Sequence, residues 1–207
     1  MHRGGNANDE SERSSGTDET PHVRIDPRTI RGTPPSLLIQ RFIKGDPLDL
    51  ELRCRLKQES SGLLISRPRM FLRAAARSAH RGFFYDPDSD SIEPWIAKRI
   101  EETIADLLDE DRISHWKNLP TKQPEHYGLL MKHLGLKADV ARAAHVAFNE
   151  LPVEVRTAYF RIGIQGMHPE SYSSNGGGTR DEIHDRILLA VNTLVQFRMM
   201  DGEGEPK

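Results

Sequence analysis

From residue 36 onward, apolar residues recur at three- and four-residue intervals, and the segments are punctuated by proline and glycine. Pro34-Pro35 introduces a short amphipathic helix over 36–44, which Gly45 stops. Asp46-Pro47 starts the next, with Leu48, Leu52 and Leu56 at four-residue spacing as its inward face, and Ser60-Ser61-Gly62 breaks it. A third helix over about 68–79 presents Phe71, Ala74, Ala75, Ser78 and Ala79 for close packing. Ser91 caps a fourth, with Pro94 in its first turn, running to about residue 109 with Ile96, Ile100, Ile104, Leu107 and Leu108 inward.

Residues 115–125 hold two prolines and no periodicity and read as a linker. Tyr127, Leu130, Met131 and Leu134 then form a short helix closed by Gly135. Residues 139–150 carry Val140, Ala143, Ala144, Ala147 and Phe148 on one face. A boundary is expected at Leu151-Pro152, since an interior proline costs a helix about 3 kcal/mol. Val155, Ala158, Tyr159 and Ile162 are the inward set of the helix that follows. Three consecutive glycines predict a mobile, non-helical loop over 171–178, each disfavouring helix by about 1 kcal/mol relative to Ala. Thr179 and Glu182 then form a capping box for a last helix over 179–194. The pattern predicts an all-α chain: a disordered arm over 1–33, helical parts over 34–114 and 126–200, the linker between them, and a tail over 201–207.

Charge narrows the partners. Formal net charge is -2 over 207 residues, so any nucleic-acid binding must come from a local patch. The third helix supplies one: Arg69, Arg73, Arg77 and Arg81 lie on one strip, where like charges repel by a few tenths of a kcal/mol per pair unless an anion relieves them. That anion is a phosphate, an acidic protein surface, or nearby Asp and Glu of the chain itself. The acidic end of the fourth helix, 106–112, opposes its own dipole and is a candidate neighbour for the strip.

The single cysteine, Cys54, forms no intramolecular disulfide and fits a reducing compartment. No apolar run reaches the roughly 18 residues of a membrane span, and the N-terminus has no signal-peptide core, so a cytoplasmic protein without a membrane partner is expected.

From residue 151 to 194 the chain resembles region four of bacterial sigma factors, especially the extracytoplasmic-function class. The order is a helix, the pair Leu151-Pro152, Arg156, an apolar helix with Phe160, then Gly166, Met167 and Glu170. The family's recognition helix then falls on 179–194, where Ile183, Arg186, Ile187, Ala190 and Leu194 match its apolar and basic pattern. The middle of the chain is similar to sigma region two in its basic helix and its Trp95-Ile96 pair. The resemblance implies transcription initiation or its regulation, RNA polymerase core as partner, and promoter DNA met through a helix-turn-helix.

Two departures stand against DNA reading. Three glycines and an asparagine occupy the place of the first helix of the helix-turn-helix. The start of the last helix is acidic at Asp181, Glu182 and Asp185, beside Arg180 and Arg186. A protein interaction module that has lost DNA binding is the alternative. The expected DNA contacts are Arg69, Arg73, Arg77, Arg81, Arg180 and Arg186, with the four-arginine strip outweighing the last pair.

Neither metal nor cofactor is expected. The oxygens of 86–90 lack the glycine and distal glutamate of a calcium loop, and capping explains the acids near His184. The glycines before the last helix could hold an anion on backbone N–H groups, but no lysine partner accompanies them. No HExxH, GxSxG or Walker loop is present, so no catalytic residue and no small-molecule substrate are expected.

Overall fold

The computed structural model describes residues 30–44 and 50–202, and among them the chain is all helical. In order these are α1 (Pro35–Lys44), α2 (Leu50–Ser61), α3 (Arg67–Gly82) and α4 (Ile92–Trp116). A tight turn over Pro124–Tyr127 leads into α5 (Gly128–Leu134), then α6 (Ala138–Asn149), α7 (Val153–Ala158), α8 (Pro169–Tyr172) and α9 (Arg180–Gly202). The expected arm, the Asp46-Pro47 helix start and the tail beyond 202 fall mostly outside the described residues. The end of the arm is corrected: Ile30 is buried beneath α3, and the Arg31 guanidinium meets Asp86 at 3.2 Å.

Two apolar clusters organise the helices. One gathers Ile30, Leu38 and Phe42 around the small face of α3 and the isoleucines of α4. Ala74, Ala75, Ser78 and Ala79 are all buried there, so α3 lies close to its neighbours as its composition predicts. The other gathers Tyr127, Leu130, Phe148, Phe160, Ala190 and Leu194. Leu64, from the connection between α2 and α3, belongs to this second cluster and carries the first half into the second.

The face of α2 is a correction. Leu52 and Leu56 are exposed, and Leu48 lies outside the described residues, while Leu50, Cys54 and Gln58 point inward. Both sets repeat every four residues. What selects the second is that Gln58 satisfies two buried carbonyls, donating from Nε2 to Leu63 (3.2 Å) and Ile65 (2.7 Å). At the end of α2, Gly62 has φ +62°, and a β-carbon there would overlap the backbone of Arg156 and Thr157 in α7. The left-handed turn and the close crossing both require glycine.

Other boundaries move. α4 continues to Trp116, so His115 and Trp116 end a helix and the irregular connection begins after them. The inward face of α6 is rotated from the alanine stripe expected: Ala141, Ala144 and Phe148 are buried, and so are Arg142, His145 and Asn149. The boundary at Leu151-Pro152 is present, with α6 ending at Asn149 and α7 starting at Val153. α9 runs on to Gly202, past the expected end at residue 194.

The segment over 171–178 is not wholly a loop. Pro169 starts α8, and the chain continues in helical conformation until Asn175 and Gly176 leave it, Gly176 at φ +84°. The glycines therefore end a short helix. Gly177 also has no room for a β-carbon, which would overlap the Tyr172 ring. Ser173 Oγ closes the turn on the Gly178 carbonyl at 2.6 Å.

Candidate functional site

The arginine strip of α3 runs antiparallel against α4, and the acids of α4 meet it in register. Arg69 pairs with Glu110 (2.8 Å) and with Asp111 (3.2 Å). Arg73 also pairs with Glu110, and Arg77 pairs with Glu102 (3.2 Å) and Asp106. Burial works to raise the Glu110 pKa, but the Arg73 and Arg69 guanidiniums more than offset it and hold the carboxyl below its ordinary value. The repulsion along the strip is thus relieved inside the chain for three of its four arginines. Arg81 is exposed, one turn beyond the last of these pairs.

The end of this ladder becomes the seam between the two halves. Asp111 is buried and accepts from Arg69 and from the Tyr127 hydroxyl (2.8 Å). Burial, then the Asp111 charge, raises the Tyr127 pKa. His145 of α6 lies beside Asp111, with Nδ1 3.6 Å from Oδ2. Burial depresses its pKa to about 4, so near neutral pH the imidazole is uncharged and its contact with Asp111 is not an ion pair. One turn on, Asn149 accepts the Leu64 amide at 2.9 Å. Beside these groups an open cleft of about 580 Å³ is lined by Gln58, Leu64, Arg67, Tyr127, His145 and Phe160.

The α8–α9 turn holds the other two predicted DNA contacts. The capping box is complete: Thr179 N–H donates to Glu182 Oε2 (2.8 Å), and the Glu182 N–H donates to Thr179 Oγ1 (3.3 Å). The Thr179 N–H, and then the Thr179 hydroxyl that donates to the same carboxylate oxygen at 3.0 Å, lower the Glu182 pKa. Arg186 folds back and donates to the Gly177 carbonyl at 2.6 Å, satisfying the end of the preceding turn. Arg180 is exposed, among the exposed acids Asp181, Glu182 and Asp185.

No contact joins Arg180 or Arg186 to the α3 strip among the described residues; the six arginines form two separate groups. The sequence reading missed His145 and Asn149. The signal was present, since Arg142, His145 and Asn149 repeat at three- and four-residue spacing beside Ala141, Ala144 and Phe148, but polarity marked them as outward. It also missed a second apolar face on α9, where Leu188 (48% exposed), Val191 (37%) and Met199 (66%) stand outside the core.

Among the described residues no group of three metal-ligating side chains converges, and no helix is long and apolar enough to cross a membrane. No family model, curated protein or solved structure matches this chain.

Proposed function

We propose that this chain is a helical protein–protein interaction module whose terminal helix-turn-helix-like unit no longer reads DNA. The observation that carries the reading is the start of α9. Arg186 is committed to the Gly177 carbonyl, and three exposed acids surround Arg180, so the surface a recognition helix offers to phosphates is acidic. The α3 strip adds support, because Arg69, Arg73 and Arg77 already hold the carboxylates of α4. A phosphate backbone would have to displace those partners. Large side chains that face outward, Trp116 at 80% and Phe84 at 76% exposure among them, supply the apolar area that a protein partner covers.

A second reading, sigma-like action in transcription initiation with RNA polymerase core as partner, draws on the helix order. The break at Leu151-Pro152, the glycine-turned α8 and the capped α9 follow one another as in sigma region four.

Two measurements separate the readings. The first is fluorescence anisotropy of labelled mixed-sequence duplex DNA titrated with the full chain from low to physiological salt. The expected result is weak binding that vanishes as salt rises, with a slope of about two counterions or fewer. The second is a pull-down of RNA polymerase core. Tight, salt-resistant and sequence-selective binding of duplex DNA overturns the first reading; retention of core together with such binding establishes the second.

A further inference from the structure

α9 carries two faces that lead to different places. α9 packs on α6 and α7, where Ala190 and Leu194 join the C-terminal core and Ile183 is also buried. Flanking that buried face, roughly 100° round the helix, is a second line of side chains: Asp181, His184, Leu188, Val191, Val195 and Arg198. The intervals along this line are three, four, three, four and three residues, the alternation that keeps a stripe facing one partner helix. Asp181, His184, Leu188, Val191 and Arg198 are exposed, and Val195 is half-buried. Among the described residues neither Asp181 nor Arg198 is in a salt bridge within the chain.

The charges at the two ends identify what fits this stripe. Antiparallel pairing with an identical helix sets Leu188 against Val191 of the second copy and His184 against Val195. The same register sets Asp181 against Arg198 of the second copy, at both ends by symmetry. Each layer then contains compatible side chains, and the helix dipoles oppose each other favourably. Parallel pairing would instead stack Asp181 on Asp181 and Arg198 on Arg198, which repel. We propose that this stripe is a self-association surface, through which two copies of the chain pair by antiparallel contact of their α9 helices.

A stripe of this length is short for an isolated coiled coil. Here the helix is already held by its inner face, so pairing does not have to offset the cost of ordering it. The two-fold arrangement is isologous and closes at a dimer, without propagating into a filament. The inference rests on the interaction-module reading only in that both take outward apolar groups as contact surface.

The test uses the full chain in sedimentation velocity over a concentration series, with circular dichroism to verify that each variant keeps its helix content. The wild type is expected to shift from monomer to dimer. Val191→Glu is expected to remain monomeric. Asp181→Arg and Arg198→Asp each place like charges in both end layers and are expected to weaken dimerisation by at least about tenfold. The double variant Asp181→Arg/Arg198→Asp exchanges the charges and is expected to recover wild-type dimerisation. A wild type that stays monomeric across the series overturns the proposal. So does a double variant as weak as the single ones, since it denies the antiparallel register. Binding of duplex DNA bears on the functional reading alone: a dimer that also binds DNA tightly and sequence-selectively upholds this inference while counting against that reading.

Discussion

The Leu64 amide donates to the Asn149 side-chain oxygen at 2.9 Å, a buried bond between residues 85 positions apart. Leu64 lies in the connection between α2 and α3, within the first helical half, and Asn149 at the end of α6, so one amide side chain ties the halves together. Asn149 Nδ2 also reaches the Leu64 carbonyl at 3.4 Å, and that geometry makes Asn149 stand in for a strand neighbour.

Asn149→Ala leaves a buried backbone amide without an acceptor. It is expected to destabilise the chain by about 1–3 kcal/mol, read as a lowered urea midpoint. An unchanged midpoint would show that water replaces the side chain at no cost.

His145 makes stability depend on pH. Its folded pKa, about 4, lies below the unfolded value near 6.5, so between those values the unfolded chain binds more protons. Stability therefore falls as pH drops through that window, by about 2 kcal/mol between pH 7 and pH 5. His126, whose pKa burial and then Arg69 also lower, adds in the same direction. The check is a pair of urea titrations at those two pH values, for the wild type and for His145→Gln. A variant that keeps the full pH slope would place the effect elsewhere.

The two ends of the arginine strip differ in role. Arg69→Gln removes the guanidinium from Asp111, whose side chain is only 8% exposed, and is expected to cost about 1–3 kcal/mol. Arg81→Gln touches an exposed residue and is expected to change stability by about 0.5 kcal/mol or less. Equal losses in thermal unfolding would contradict the asymmetry.

Gly62 and Gly135 separate strain from steric overlap. Both have positive φ, +62° and +68°, but a β-carbon meets the α7 backbone at Gly62 and nothing within 4 Å at Gly135. Gly62→Ala is expected to cost about 2–4 kcal/mol, and Gly135→Ala about 1 kcal/mol. If the two substitutions cost the same, α2 and α7 do not cross as closely as the structure has them.

The all-helical class and several joints were legible in the chain alone, because they follow from local chemistry. Pro152 cannot continue α6, Thr179 and Glu182 cap α9 with each other, and the alanines of α3 allow close approach whatever lies opposite. The acidic end of α4 was also recognisable as a neighbour for the arginine strip, since each relieves the other's repulsion.

Other features were decided only by what each residue met. Leu50, Cys54 and Gln58 repeat along α2 as regularly as Leu52 and Leu56, and Gln58 was drawn inward by the carbonyls of Leu63 and Ile65. Arg142, His145 and Asn149 look like a solvated face of α6, yet they are buried: Arg142 donates to the Leu119 carbonyl, Asn149 pairs with Leu64, and His145 lies within reach of the Asn149 amide. Three glycines oppose helix by propensity, yet Gly176 and Gly177 end α8, because the turn to α9 needs a positive φ and a bare Cα beside Tyr172. Periodicity names the candidate faces of a helix; only the partners brought from elsewhere in the chain select between them, since burial of a polar group is stable only where its hydrogen bonds are met.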